Sequence, residues 1–600
     1  MYNKNVDQSS IIGLFLILFV ITFFTYFFDN EHKKNDFIKE KLQYKNFSLI
    51  KKDQIKNNED YTFLENKVLK IKISNKGGEI NNVFLKKYKA YNPTFSNHSK
   101  NLHLINDSSL SYKILFPNKK GFYNIHSTNL IFRPFIFSSK ENKILIMKAE
   151  NPNVKNQDFL EYVYILGNKN QYHIDFFIRT KNFPLKKGLP FELEQKIFSF
   201  EKDRNWENSY TKSYYSIYNN NNSEITSVKS FSEKNTEEKR ISDLNWIAHK
   251  QQFFTSIFIP EKPLKDIFVY SENFTYGKCL KKIGWKTFLN IDKDKKKDEN
   301  FNFSFRFYFG PLDFNLLKEY KNNYENIIPF GWGFLKWINK YFFLVIFQFL
   351  EKTNLNYGII IILMTIVVKL ILSPITYRQY KLSAIMKLIH PEIEELNKKY
   401  KNEDTLKKQR AIMELYQKAG INPMSGCIST LFQIPIFYSL FKFFPTIINL
   451  RGKSFLWVDD LTSYDSILEL PFSIPFYGSH VSLLTLLYSL ALLAYTKLSN
   501  DGRKNNIQQN DNENVISDMN FILYLMPVIM LLFINSYASA LSLYYFISNI
   551  INIGLMFFIK KIMLNNKKIF IKIRKENRKH ISWKKLIKQL LDKNKNNITG

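Results

Sequence analysis

Residues 358–372 read GIIIILMTIVVKLIL, an apolar run broken by a single charge, Lys369. Extended to Thr376, the run is long enough for a membrane-spanning helix. A lysine near the centre of such a helix costs about 2.5–3.5 kcal/mol on insertion scales, so one retained there usually has a function. The plainer reading is snorkelling: Thr376, near the end of the span, lies about seven residues on, roughly 10 Å along a helix axis. Thr365 precedes Lys369 by one turn and shares its face. The segment ends in Ser373-Pro374, after which the chain turns strongly charged.

Working outward, the stretch at 357–376 is followed by apolar segments at about 423–444, 480–497, 519–535 and 540–561. Ile11–Phe28 is uncharged and ends in the bulky Tyr26-Phe27-Phe28, without the small residues of a signal-peptide cleavage site, so residues 1–28 read as an uncleaved anchor. That makes about six spans by the length rule. In 327–352 the uninterrupted apolar part, Tyr341–Leu350, is too short to cross. Trp332, Lys336, Trp337 and Lys340 suit an amphipathic helix lying in the interface. If this segment spanned instead, the region before it would change sides. Tyr377–Gly420 is dense in Lys, Arg and Glu. Its apolar residues Leu382, Ile385, Ile389, Ile393 and Leu396, then Leu406, Met413 and Tyr416, predict a helical hairpin outside the bilayer, broken at KYKNED, 399–404.

Residues 29–60 are polar and Lys/Asn-rich, as in a linker. From 61 to 326 the pattern changes to short alternating runs such as Val68-Leu69-Lys70-Ile71-Lys72-Ile73, punctuated by NKGGE at 75–79, which predict an all-β, sandwich-like domain. Helical periodicity is expected there only near Leu312–Asn326. The fold class is thus a multi-domain membrane protein, with an all-β outer domain and an α-helical transmembrane bundle within 353–562.

The chain has 600 residues and a formal charge of +33, from 86 Lys and Arg against 53 Asp and Glu. Lys, Asn, Ile and Phe are used heavily throughout, so part of that charge is compositional, and only local clusters speak to location. The basic tail, 563–600, and the 377–420 hairpin belong on the cytoplasmic side. Counting spans back puts 446–480, with Asp459, Asp460, Asp465 and Glu469, outside. The β domain is then periplasmic and both termini are cytoplasmic. Lys33 and Lys34 oppose this, but long translocated domains largely escape the charge rule. Cys279 and Cys427 imply no disulfide framework. The sequence lacks a phosphate-binding G-x-x-x-x-G-K loop, an H-E-x-x-H helix, a nucleophile elbow and aspartates within the spans, so nothing points to nucleotide use or covalent catalysis, and no cofactor is expected.

Within the last span Ser542, Tyr545, Asn549 and Asn552 fall at i, i+3, i+7 and i+10 on one helix face, bordered by Ser548. The 423–444 span carries Gln433 near Pro435, and the 480–497 span carries Ser482, Thr485 and Ser489. Such residues are as readily helix–helix glue as the lining of a polar path.

The order and spacing of several motifs give the chain a resemblance to the YidC/Oxa-type membrane-protein insertase family, in its long bacterial form. In the outer domain they are NKGGEI at 75–80, WIAHKQQFF at 246–254 and FGPLD at 309–313. The membrane half has SPITYRQY at 373–380, GINPMSGC at 420–427, LFQIPIFYSLF at 431–441, FLWVDDL at 455–461, LMPVIM at 525–530 and LSLYYFISN at 541–549. The resemblance implies a β-supersandwich periplasmic domain. It also implies a hydrophilic intramembrane groove whose charge is usually an arginine and here is Lys369, which keeps the charge but loses the planar fork. Thr365 and Tyr545 match groove positions, Tyr544 and Gln433 match motif residues nearby, and Asn549 and Asn552 complete the expected set. The implied function is insertion, folding and assembly of bacterial inner-membrane proteins, with or without the Sec translocon, by an insertase and chaperone that is not an enzyme. Implied partners are nascent membrane proteins and the Sec translocon. The basic tail would meet either the ribosome or anionic lipid, and no DNA. Two rival classes are a small-solute transporter, for which no internal repeat is seen, and a membrane-anchored enzyme acting on saccharide, for which no carboxylate pair stands out.

Overall fold

The computed structural model describes residues 52–53 and most of 60–565, leaving out short stretches that include 118–122, 290–301, 401–404, 419–424 and 501–513, and the side chains of 378–391 and 425–432. The expected anchor over 1–28, nearly all of the 29–60 linker and nearly all of the 563–600 tail lie outside the described residues. The chain divides into a β-rich unit, Asp36–Pro329 with Pro445–Lys453, and a helical unit that includes Phe330–Phe444 and the chain from Ser454 onward.

The β unit contains a 16-stranded sheet and a 4-stranded sheet among the described residues. In Leu69–Ser74, Leu69, Ile71 and Ile73 are fully buried. The lysines between them face outward, with the Lys72 ammonium 3.8 Å from the Tyr61 ring centroid. This is the period-2 pleat expected from the alternation. Strand Asn302–Pro311 carries Phe305, Phe307 and Phe309 into the core. There Phe305 meets Phe191 at 5.2 Å, and Phe307 meets both Phe176 and Phe258 at 5.4 Å between centroids. Each such ring contributes about 1.5–3 kcal/mol on burial. NKGGEI forms a turn in which Gly78 has φ +67°, and a Cβ there would approach Tyr162 to 2.8 Å. The WIAHKQQFF and FGPLD segments, far apart in sequence, are neighbours: Phe254 pairs with Pro311 and Ser256 with Phe309.

Helix α1 (Arg204–Tyr210) interrupts the β unit where no helix was expected. Seven residues are too few for a periodic signal; what starts the helix is Asp203, whose side chain accepts from the Trp206 amide. Helix α2 (Phe314–Glu319) falls in the region where one was expected.

The helical unit opens with α3 (Gly333–Ile338), a π turn over Asn339–Phe343, and α4 (Leu344–Glu351). Asn339 is buried beside the bulge and donates to the carbonyls of Phe330 and Ser439 at 2.7 and 2.9 Å. Helix α5 (Tyr357–Leu388) contains Lys369 and does not stop at Pro374. Proline removes one intrahelical donor; two residues on, the Thr376 hydroxyl lies 3.1 Å from the Ser373 carbonyl, within the same turn. The charged region continues as α6 (His390–Lys399) and α7 (Thr405–Lys418), which pack on each other. Helix α8 (Ser425–Phe443) follows. A hairpin of strands Leu468–Ile474 and Gly478–Val481 comes next, so the following span begins at Leu483 rather than 480. Helices α9 (Leu483–Asn500), α10 (Asn514–Ile534) and α11 (Ser539–Asn565) complete the unit, with α11 packed against α5 and α9. Tyr357–Tyr377 and Ser539–Phe558 are long and apolar enough to cross a membrane; Leu483–Ser499 and Tyr524–Ile534 are shorter apolar helices.

Candidate functional site

Lys369 projects from α5 toward α11. It is 8% exposed, and its ammonium donates to Asn552 Oδ1 at 2.9 Å. Among the described residues Asn552 is its one hydrogen-bond partner, and an ammonium carries three N–H donors. Asn549, one turn before Asn552, is also buried. Two turns before Asn552, the Tyr545 ring packs between Phe437 of α8 and Tyr488 of α9, at 5.2 and 5.7 Å. The Tyr545 hydroxyl is buried without a hydrogen-bond partner among the described residues, as is that of Ser489 on α9. Buried hydroxyls are normally satisfied, so these two have capacity left for another group or for water.

The expected set is only partly brought together. Lys369 and Asn552 are brought together, while Asn549 and Tyr545 lie one and two turns along α11, with the Tyr545 ring against α8 and α9. Tyr544 is buried beside Phe444, 6.1 Å between centroids, at right angles to the Tyr545 ring. The Thr365 hydroxyl is fully buried and donates to the Ile361 carbonyl of its own helix at 2.7 Å. Gln433 is exposed and makes no hydrogen bond to the cluster among the described residues. Ser542 turns out to be helix–helix glue, its hydroxyl 3.0 Å from that of Thr485.

Residues outside the expected site hold the end of this bundle. Asp465 accepts from the Ser482 hydroxyl at 2.5 Å and from the Leu484 amide at 3.1 Å, capping α9. Asn535 follows α10; it donates to the carbonyls of Tyr477 and His480 and accepts from the Ser482 amide. The signal for Asn535 was present in the sequence, a polar INS step between two apolar runs.

The buried charges of the β unit are held by fixed partners. Glu201 accepts from Arg451 Nε at 2.8 Å and lies 3.2 Å from His98 Nε2. Arg451 also donates to the Lys89 carbonyl and lies over the Phe254 ring. Burial opposes ionisation of Glu201, but the Arg451 charge and the His98 contact outweigh it and hold the carboxyl below its usual range. Neighbouring Glu207 is pushed up by burial and then by the Glu201 charge. In the WIAHKQQFF segment, Lys250 donates to the Tyr210 carbonyl at 2.7 Å. Gln251 and Gln252 donate to the carbonyls of Phe198 and Pro445. The segment is a buried hairpin whose polar side chains satisfy backbone groups, so its chemistry is structural.

Two families match the chain: the YidC periplasmic domain over residues 62–345 and the 60Kd inner membrane protein over residues 349–567. The membrane protein insertase YidC of Parabacteroides distasonis is 33% identical over 567 residues, 90% of this chain and 83% of the relative. The insertase of the same name from Amoebophilus asiaticus is 31% identical over 598 residues, 96% of this chain and 95% of the relative. A crystal structure of an active YidC insertase with its first transmembrane domain resolved is 18% identical, covers 84% of this chain and 93% of its own, and gives a TM-score of 0.33. With relatives of this identity matched over most of their length, the chain belongs to the YidC family of membrane protein insertases.

Proposed function

We propose that this protein inserts other membrane proteins into the bacterial inner membrane, and that Lys369, Asn552, Asn549 and Tyr545 line the polar path by which it does so. The observation that carries this reading is the Lys369–Asn552 hydrogen bond between two apolar helices, one of which also carries the buried, unpartnered Tyr545 hydroxyl. Each central Leu, Ile, Phe or Val of an incoming helix contributes about −0.3 to −0.6 kcal/mol on partitioning, so a full span supplies several kcal/mol. An acidic residue at the helix centre works against this by about 2.5–3.5 kcal/mol. The ammonium, with two N–H donors beyond the Asn552 bond, would receive a substrate carboxylate in passing and shorten the apolar distance it must cross. Bilayer partitioning then provides the driving force without nucleotide. Thr365 and Tyr544 would shape the path by packing, and Gln433, exposed on α8, would meet a substrate only at its open side.

The wider assignment follows the same reading. About six spans within 1–28 and 353–562 would carry the groove, with 327–352 in the interface. The 61–326 domain would be periplasmic, and the 377–420 hairpin and both termini cytoplasmic. Nascent membrane proteins are the substrates, the Sec translocon is a partner for some of them, and the basic 563–600 tail meets ribosomal RNA or anionic lipid through phosphate. The test is reconstitution of the purified full chain into liposomes with a short single-span substrate. The expected result is a protease-protected substrate without added nucleotide. Unchanged spontaneous insertion together with a new solute flux would overturn the reading in favour of a transporter.

A further inference from the structure

The Leu468–Val481 hairpin is an apolar exposed feature of the helical unit that the proposed path does not use. Phe472 is 62% exposed and Phe476 92%, and Leu468, Ile474, Leu456 and Trp457 are also open to the surface. Lys and Arg account for 86 of 600 residues, yet none falls between Ile467 and Val481, where the one carboxylate is Glu469. A solvated edge strand is ordinarily blunted by charge.

The hairpin is tied to the end of the bundle. Asn535, just after α10, donates to the carbonyls of both Tyr477, at the tip, and His480, near the base, at 2.9 and 2.8 Å. The Ser536 hydroxyl donates to the Tyr477 carbonyl at 3.1 Å, and His480 stacks on Tyr464 with centroids 3.7 Å apart. The Ser539 amide, at the start of α11, donates to the Ser463 carbonyl. The hairpin is therefore fixed at the level where α10 ends and α9 and α11 begin. If those helices cross a bilayer, that level is the headgroup region.

What covers the apolar side chains can be argued from the backbone. Pro471 removes a donor from the outer strand, and the pairing is irregular between Glu469 and Ile474. Addition of a partner strand is thus disfavoured, because proline cannot complete a ladder. Beside the hairpin, the half-exposed Trp457 ring has its indole N–H bonded to Asp465 Oδ2 at 3.2 Å, an amphipathic arrangement typical of interfacial tryptophan. We propose that this hairpin is a lipid-binding surface, lying in the membrane interface at the rim of the bundle, with Phe472 and Phe476 seated among phospholipid acyl chains just below the headgroups. The proposal rests on the membrane reading above.

The test uses the full chain with Cys279 and Cys427 replaced by serine and one cysteine introduced at a time for an environment-sensitive fluorophore. The positions are Phe472→Cys and Phe476→Cys on the hairpin, Ile550→Cys in α11, and Tyr276→Cys on the exposed surface of the β unit. Each protein is reconstituted into phosphatidylethanolamine/phosphatidylglycerol vesicles. The expected result is blue-shifted emission at 472 and 476, quenched by nitroxide lipid labelled near the headgroup and shielded from iodide, with 276 behaving oppositely. If 550 meets lipid but 472 and 476 are as open to iodide as 276, the hairpin proposal falls and the membrane reading stands. If 550 also fails to meet lipid, both fall. Shielding of 472 and 476 in native membranes but not in the pure vesicles would overturn the proposal by assigning the surface to a protein partner.

Discussion

Lys250 and Lys369 are both buried, one in the β unit and one in the helical unit, and each donates to one amide oxygen in different surroundings. Lys250 is 1% exposed, fixed on the Tyr210 carbonyl, with the Tyr210 and Tyr214 rings 5.4 and 5.9 Å from its ammonium. Burial, and then the charges of Lys212 and Lys281, push it down to about 7. Lys369 donates to the Asn552 side chain, on a helix face that also carries the buried, unpartnered Tyr545 hydroxyl. The first is enclosed by two tyrosine rings inside the β unit. The second lies between two apolar helices, where the proposed function would have its ammonium receive a guest carboxylate.

The sharpest way to break this comparison is to reverse the sign of Lys369. A hydrogen bond to a charged group is worth about 1.5–3 kcal/mol, so losing it to a substrate carboxylate corresponds to a fall of about 10- to 100-fold. Lys369→Glu is expected to lower liposome insertion of an acidic-flanked substrate by that order, while Lys369→Arg retains it. Equal protected fractions for the folded wild type, Lys369→Arg and Lys369→Glu would remove the charge from the mechanism.

The second test concerns Lys250. Lysine in the unfolded chain titrates near its ordinary 10.4 and the folded one at about 7. Between these values the unfolded chain holds more protons, so wild-type stability rises with pH over that window. Lys250→Met lacks this dependence. It should stabilise the β unit most below pH 7, on the order of a few kcal/mol less about 1–3 kcal/mol for the orphaned Tyr210 carbonyl, and the advantage should vanish or reverse near pH 10. Thermal unfolding of the full chain in detergent at pH 6 and pH 10 reads the effect. Insertion activity should not change.

How much of this was legible beforehand differs between residues. The pleat of Leu69–Ser74 and the polar stripe of α11 follow from periods of 2 and 3.6, which any sequence displays. Lys369 stood out because hydropathy made it expensive. That Asn552, rather than Asn549 or Tyr545, meets it depends on the axial offset of α5 against α11, which no local pattern records. The apolar span lies where it was expected, but its helix runs on past Pro374 to Leu388, because one lost donor does not stop a long helix. Arg451 was invisible for a different reason: it reaches Glu201 across 250 positions of sequence, and a nine-residue segment has no periodicity to show that it belongs to the β unit.

A smaller effect is expected at Asn552. Polar pairs between membrane helices average about 0.6 kcal/mol, so Asn552→Ala should reduce insertion by about threefold. Its effect should shrink in a Lys369→Met background, because the shared bond is already gone. Strictly additive losses in that double-mutant cycle would mean that Asn552 acts without reference to the lysine.

The smallest and most discriminating change is Tyr545→Phe. The ring keeps its packing on Phe437 and Tyr488, and only the hydroxyl, buried without a partner, is lost. An unsatisfied buried hydroxyl destabilises by about 1–3 kcal/mol, so its removal should raise the melting temperature slightly. If the hydroxyl is held in reserve for substrate, insertion should fall modestly while stability rises, a pairing that a packing role does not produce. Greater stability with unchanged insertion would reduce Tyr545 to a core residue and leave Lys369 and its two asparagines as the working part of the site.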